Sequence, residues 1–388
     1  MRFNSILFVL IFFISKGFSQ ELALARFDDK YGYLNKSGEW QISPQFESAK
    51  DFVEDLAEAM GANEKWGFIN RNGEWQIQPK FVRVKEFNSG IALAYDGDRW
   101  FYINRKGEEV LKNVKTVKYY DFSEGFAIVR SEDGKVGFID TLGNYIVEPK
   151  FEKVHDFVNG YARVSPDGKW GIIDVKGKYF VEPNYRRVGN VYLGNVVVEN
   201  ENEEVGLIIE GKFKVVEGAR KIWDFSYNGE FTYAKKDDFV GFINNKGEWV
   251  VEPQFDKARA FLNGLAPVML KNKWGYINTS GELVIDYKFK DADVFSKDGL
   301  APVKLKKRWG FIDKTGKLVI QDEYDIHSRM GGFGIGGRRA MRNFGLELPN
   351  FGFIDGLARV KKDKEWGFID ANGEVLNNTW YQNLELFQ

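Results

Sequence analysis

Short apolar runs separated by polar tips recur along this chain, and one stretch shows the pattern. Leu265-Ala266-Pro267-Val268-Met269-Leu270 is followed by the polar Lys271-Asn272-Lys273, then Trp274-Gly275-Tyr276-Ile277, the turn Asn278-Thr279-Ser280-Gly281, and Leu283-Val284-Ile285. Runs of this length bounded by Asn, Asp and Gly predict three short strands and a return segment. The turn joining the second and third strands opens on Asn or Asp, whose side chain can bond the backbone ahead. It closes on Gly, which adopts positive φ at no steric cost.

The same unit repeats from end to end. Its Gly position stands at residues 32, 67, 137, 171, 206, 241, 275, 310 and 367, with Phe101 in the third unit, so successive spacings are 35, 34, 36, 34, 35, 35, 34, 35 and 57. The chain therefore contains ten units of about 35 residues, and one connection is longer by about 22. Five units carry a Pro after the third apolar run (Pro44, Pro79, Pro149, Pro183, Pro253), where the strand is expected to end because Pro cannot donate to a ladder. Aromatic residues recur just beyond, as Phe46, Phe81 and Phe151, and again near the end of the return segment, as Phe52, Phe87 and Phe122. A unit with so few anchors cannot offset the entropy of ordering its own backbone, so the units are expected to stack and share cores.

The Lys65-Trp66-Gly67-Phe68-Ile69-Asn70 and Lys273-Trp274-Gly275-Tyr276-Ile277-Asn278 strings, the Asn/Asp-x-x-Gly turn and the Pro-x-Phe that follows resemble the WG-repeat family, also written KWG. The resemblance runs over about residues 20–388 and departs most in the third and sixth units. It implies a β-rich tandem array, commonly exported or associated with the cell envelope, that binds partners and supplies no catalytic residues. The fold expected is all-β: a tandem array of about ten three-stranded antiparallel units in an open, superhelical arrangement, with a closed propeller-like ring as the alternative. The open form is preferred because propellers usually close with about four to eight blades and no closing strand is evident.

Composition narrows the chemistry. The chain has 388 residues, no Cys, and only two His, His155 and His327. That excludes disulfides, thiol nucleophiles and Cys-ligated metals, and leaves little imidazole for metal binding. The formal charge is −1 with both signs dispersed, so no nucleic-acid footprint is present. No metal, cofactor or catalytic residue is expected. The 34 Phe, 17 Tyr and 11 Trp are a surplus that ligand binding could use, but most fall in fixed slots of the repeat and are read as core. Asp140, Asp174, Asp313 and Asp370 are read as turn residues, because Asn occupies the same position in other units. The Trp66 slot is likewise core, because Val136, Val205 and Val240 also fill it.

What falls outside the repeat is then the candidate partner-binding set. Trp223 and Trp380 are aromatic residues outside the shared slots. Arg338, Arg339 and Arg342 follow Gly332-Phe333-Gly334-Ile335-Gly336-Gly337 in a Gly/Arg-rich insertion at about 328–350. That glycine pattern lacks the strand–helix context of a dinucleotide site and is read as a loop. At the other end, Met1-Arg2, an apolar Ile6–Ile14 and Gly17-Phe18-Ser19 read as a secretory signal over 1–19, too short to span the ~30 Å bilayer core. Residues 20–388 would then form the exported array, with no transmembrane segment, in the periplasm, on the outer surface or secreted. The expected function is a non-catalytic scaffold binding a protein, or a glycan, through its extended surface and tips such as Asp96-Gly97-Asp98-Arg99. A lectin or glycan-active enzyme, and a structural envelope component, are the alternatives.

Overall fold

The computed structural model describes residues 21–226, 229–326 and 352–388. Among them, thirty-nine strands form ten small antiparallel sheets, accompanied by a single 3-10 turn at Leu376–Asn378. The expected all-β array of ten units is present, but most units contribute to four-stranded sheets. The return segment supplies the additional strand. In the second blade, Ala49–Val53, Leu56–Met60, Trp66–Ile69 and Trp75–Phe81 pair in sequence order as a meander. In most later blades the first of the four strands has only two residues, such as Arg83–Val84 or Lys257–Ala258.

The array closes. Ala23–Phe27, Lys30–Leu34 and Trp40–Phe46 form three strands of the first blade, and its fourth comes from the far end of the chain, Asn383–Leu384. Ala25 pairs with Leu384 and Arg26 with Asn383. Leu22 and Gln388 exchange backbone hydrogen bonds of 3.0 and 3.1 Å, and the Glu385 amide donates to Leu24 at 2.8 Å. The preferred open superhelix is therefore replaced by its alternative, a propeller-like ring of ten blades. The closing strand escaped the sequence reading because residues 382–388 carry no turn signal and only the short apolar pattern of a two-residue strand.

Ten apolar clusters match ten interfaces between neighbouring blades. Phe68, Ile77 and Phe81 of the second blade pack with Phe87, Ala92, Ala94 and Ile103 of the third. At the seam, Ala23, Ala25 and Leu34 of the first blade pack with Trp366, Phe368 and Tyr381 of the tenth and with Leu384. The recurring aromatics are core as expected: Phe46, Phe52, Phe81, Phe87, Phe122 and Phe151 are all buried.

The Gly of the repeat has a geometric cause. A Cβ on Gly67 would lie 2.4 Å from the Ile77 carbonyl oxygen and 2.8 Å from the Pro79 nitrogen, and Gly137, Gly241, Gly275 and Gly310 meet the same obstruction. The last strand of the blade crosses directly over this Gly through a register shift between the Trp66–Phe81 and Phe68–Ile77 pairs. Pro79 sits at that bulge and the strand runs on to Phe81, so the Pro does not end it. A bulge on an edge strand is where a missing amide is tolerated. In the third blade, where Phe101 replaces Gly, the last strand is only Glu109–Val110 and the crossing is absent. In the tenth, the Trp380 ring lies over Gly367 instead, with Cε3 3.0 Å from where a Cβ would be.

Two outcomes follow. Gly67→Ala is expected to destabilise the ring by about 1–3 kcal/mol through backbone displacement, whereas Gly134→Ser, whose added Cβ meets nothing within 4 Å, carries only the cost of its positive φ; urea unfolding compares the two. Leu384→Ala, at a fully buried seam position, should cost about 2–5 kcal/mol, read as a lowered denaturation midpoint.

Candidate functional site

Nine of the repeat turns are built alike. Asn35, Asn70, Asn104, Asn244 and Asn278 accept amide hydrogen bonds through Oδ1 from the residues two and four positions ahead. Asp140, Asp174, Asp313 and Asp370 do the same. These carboxylates are turn residues, as their interchange with Asn implies; burial opposes the shift at Asp140, but bonds from the Asn144 side chain and the turn amides hold it below the ordinary range, and the Thr315 hydroxyl, with the turn amides, does the same at Asp313. The tip at Asp96 is also self-engaged: its carboxylate accepts from the amides of Asp98 and Arg99 at 2.9 and 3.0 Å.

The two-residue strands line the inner edge of the ring, where blades converge closely enough for Glu58 to feel Asp121, two blades away. Acids from successive blades gather there. Burial, reinforced by Glu385 and opposed by Arg359, pushes the Asp51 carboxyl up to about 8; burial and the charge of Glu86 do the same to Glu58. Glu58 is buried. Among the described residues, no three His, Asp or Glu side chains converge as a metal site would require.

An accessible concavity lies at the starts of the inner strands of blades seven to nine. It is a cleft of about 750 Å³ walled by Trp223, Tyr233 and Val240 of the seventh blade and by Arg259, Met269 and Trp274 of the eighth. Its origin lies in an exchange of slots. In three blades the third strand carries Trp and its ring lies beside the residue at the Lys85 position of the inner strand: Lys85 stands 5.8 Å from Trp100, Arg259 4.9 Å from Trp274, and the His155 ring 5.2 Å from Trp170. In the seventh blade the third strand has Val240, and the indole is carried by the inner strand as Trp223. That ring stacks on Tyr233 at 4.7 Å and 30°, with the Lys221 ammonium 4.3 Å from its centroid. The smaller Val240 leaves open the volume that an indole fills in six of the blades.

Charge in this cleft is uneven. Lys221, Lys235, Lys257, Arg259 and Lys290 face only Asp256 and Asp291, a balance of 5 − 2 = +3. Arg259 is bound to Asp291 at 3.0 Å and approaches Asp293 at 3.7 Å. Lys235 lies 3.8 Å from Asp238. Among the described residues, Lys221, Lys257 and Lys290 lie within ion-pair distance of no carboxylate.

Of the residues singled out in the sequence, Trp223 lines this cleft. Trp380 packs against Gly367 and the core between the ninth and tenth blades, away from it. Arg338, Arg339, Arg342 and His327 lie outside the described residues, as does the 1–19 segment. The insertion branches from the chain between Ile326 and Gly352, after Asp325 has paired with Lys361 and before Phe353–Ile354 resumes the sheet. Among the described residues no helix is long and apolar enough to cross a membrane.

The ring and its turns define a repeat protein of β-propeller-like architecture. The family described as WG containing repeat matches residues 31–60, 66–100, 100–135, 137–170, 241–274, 274–309 and 309–325, more than half of the chain, and the chain belongs to that family. The cleft residues Lys221, Trp223, Tyr233 and Lys235 fall in the stretch between matched repeats. No curated protein matches the chain. Similar solved structures include a eukaryotic initiation factor, 10% identical over 77% of this chain and 94% of that one, with a TM-score of 0.46. BamB from Moraxella catarrhalis is 12% identical over 85% and 96%, with a TM-score of 0.33. The WD40 β-propeller domain of Doa1 is 14% identical over 57% and 88%, with a TM-score of 0.22.

The inner-edge acids predict a pH dependence. Asp51 and Glu58 stay protonated in the folded ring up to about 8 but ionise near 3.8 and 4.5 when unfolded. Between those limits the folded state holds more protons, so stability should fall as pH rises from about 4 to 8. Asp51→Asn with Glu58→Gln should flatten that slope, measured as urea midpoints at pH 5 and pH 8.

Proposed function

We propose that this chain is an exported, non-catalytic scaffold that captures a protein partner on the face of the ring bearing the cleft. The observation that carries the reading is the slot exchange at Trp223 and Val240. In a ring most of whose recurrent aromatics are spent on interblade cores, it opens an accessible cavity walled by two stacked aromatics and rimmed by charge. Binding sites are typically concave, with aromatic walls and a few placed polar groups, and Trp and Tyr dominate the energetics of protein interfaces. The turn geometry supports the absence of chemistry at the repeated Asp positions, since each of those carboxylates is consumed by its own backbone. The sequence of residues 1–19, read as a secretory leader, supports export, and the Gly/Arg-rich insertion at about 328–350 is proposed as a second contact.

Affinity capture with the chain from residue 20 onward, produced in its native compartment, tests this. A specific protein should co-purify, and Trp223→Ala should reduce its recovery by roughly tenfold or more, as for an interface hot spot, while thermal unfolding stays close to that of the parent. Equal recovery by both chains would remove the cleft from the interaction.

A further inference from the structure

Resting on the reading of the cleft as a binding site, we infer that its ligand is an acidic peptide segment whose carboxylates are held by Lys221, Lys257 and Lys290. These three lysines come from three successive blades and lie on one lining. Each stands near the start of an inner strand, so they follow the curve of the ring, as the carboxylates of an extended chain would. No described carboxylate pairs with any of them, whereas Arg259 beside them is already bound to Asp291 at 3.0 Å. The lysine charge is therefore available to a ligand and the arginine charge is not.

The same basic character continues past the cleft. The position that Lys221 and Lys257 occupy in their blades is filled by Arg83, Lys118, Lys153 and Arg187 in the four preceding ones, and all six side chains are exposed. The cleft is thus the deep end of a basic arc that spans six blades along the inner rim. Some of this charge is neutralised locally, as where Arg187 approaches Glu199 at 3.6 Å. Lys221, Lys257 and Lys290 are the ones that line the cavity.

Two features select a peptide over other polyanions. A cavity of about 750 Å³ exceeds what a single small anion fills. The Trp223 ring is already engaged by Tyr233 and the Lys221 ammonium, which reduces the face on which a sugar or a nucleobase would stack. It serves instead as a wall against which apolar parts of a peptide pack while carboxylates reach the lysines. Charge steering of this kind acts chiefly on encounter and specificity and weakens with salt.

Calorimetric titration of the full chain with a hexaglutamate peptide at 50 and 300 mM salt tests the assignment. Matched-charge oligogalacturonate and oligothymidylate, and inorganic phosphate, serve as alternative anions. The peptide should bind, more weakly at the higher salt. Lys221→Glu/Lys257→Glu/Lys290→Glu should lose at least about tenfold in affinity, and Lys106→Glu/Lys176→Glu/Lys246→Glu, altered at exposed repeat turns, should bind like the parent. No peptide binding, equal loss in both triple variants, or tighter binding of the sugar or the nucleic acid would overturn it. If Trp223→Ala abolishes partner capture while hexaglutamate fails to bind, the acidic-peptide assignment falls and the binding site stands. If neither effect appears, both fall.

Discussion

Each of the ten apolar cores is shared by two neighbouring blades, and the rest of the architecture depends on that sharing. A four-stranded meander of about 35 residues has two faces and too little mass to cover either. Setting Phe68 and Phe81 of one blade against Phe87 and Ile103 of the next gives both faces a partner. An open array would leave one apolar face at each end in water. Pairing Ala25 with Leu384, and packing Leu34 against Trp366, removes both ends together. Closure is thus the same nearest-neighbour interaction applied once more.

Much of this was legible in the residues. The spacing of the Gly positions gave the number of blades, and the Asn and Asp residues gave nine turns whose bonding matches the expectation. The location of the recurrent Phe in cores followed from its fixed slot. The missing information concerned long-range contacts. Pro79 read locally is a strand terminator. Once the last strand is seen to bulge across Gly67, the Pro becomes the residue best suited to the bulge. The return segment looked structureless because its inner strand has two residues in most blades, below the length at which alternation can be recognised. The closing strand has that same short form.

The candidate site was half visible. Trp223 stood out because no other unit carries Trp at that position. Its meaning required a comparison across two slots: the indole is gained on the inner strand in the same blade where Val240 lacks it on the third strand. Val136 and Val205 also lack the indole, but their blades hold Tyr120 and Gly189 at the inner-strand position, so the exchange is made only in the seventh blade. The lysines were invisible as a group, because Lys221, Lys257 and Lys290 are separated by more than thirty residues at each step and meet only through the curvature of the ring. Trp380, equally unusual in sequence, lies over Gly367, where other blades have the crossing strand.

The seam at Ala25 and Leu384 gives the ring a directional mechanics. The connections between successive blades are covalent, whereas the junction of the tenth blade with the first is held by backbone hydrogen bonds, side-chain packing and contacts such as Arg359 to Glu385 at 2.8 Å. Because Leu22 and Gln388 lie side by side, a force that pulls these two residues apart is borne first by this junction. The ring would then open like a clasp, exposing the faces of its first and tenth blades while the other interfaces stay shut. A load carried across the ring between interior blades would instead be shared around its circumference.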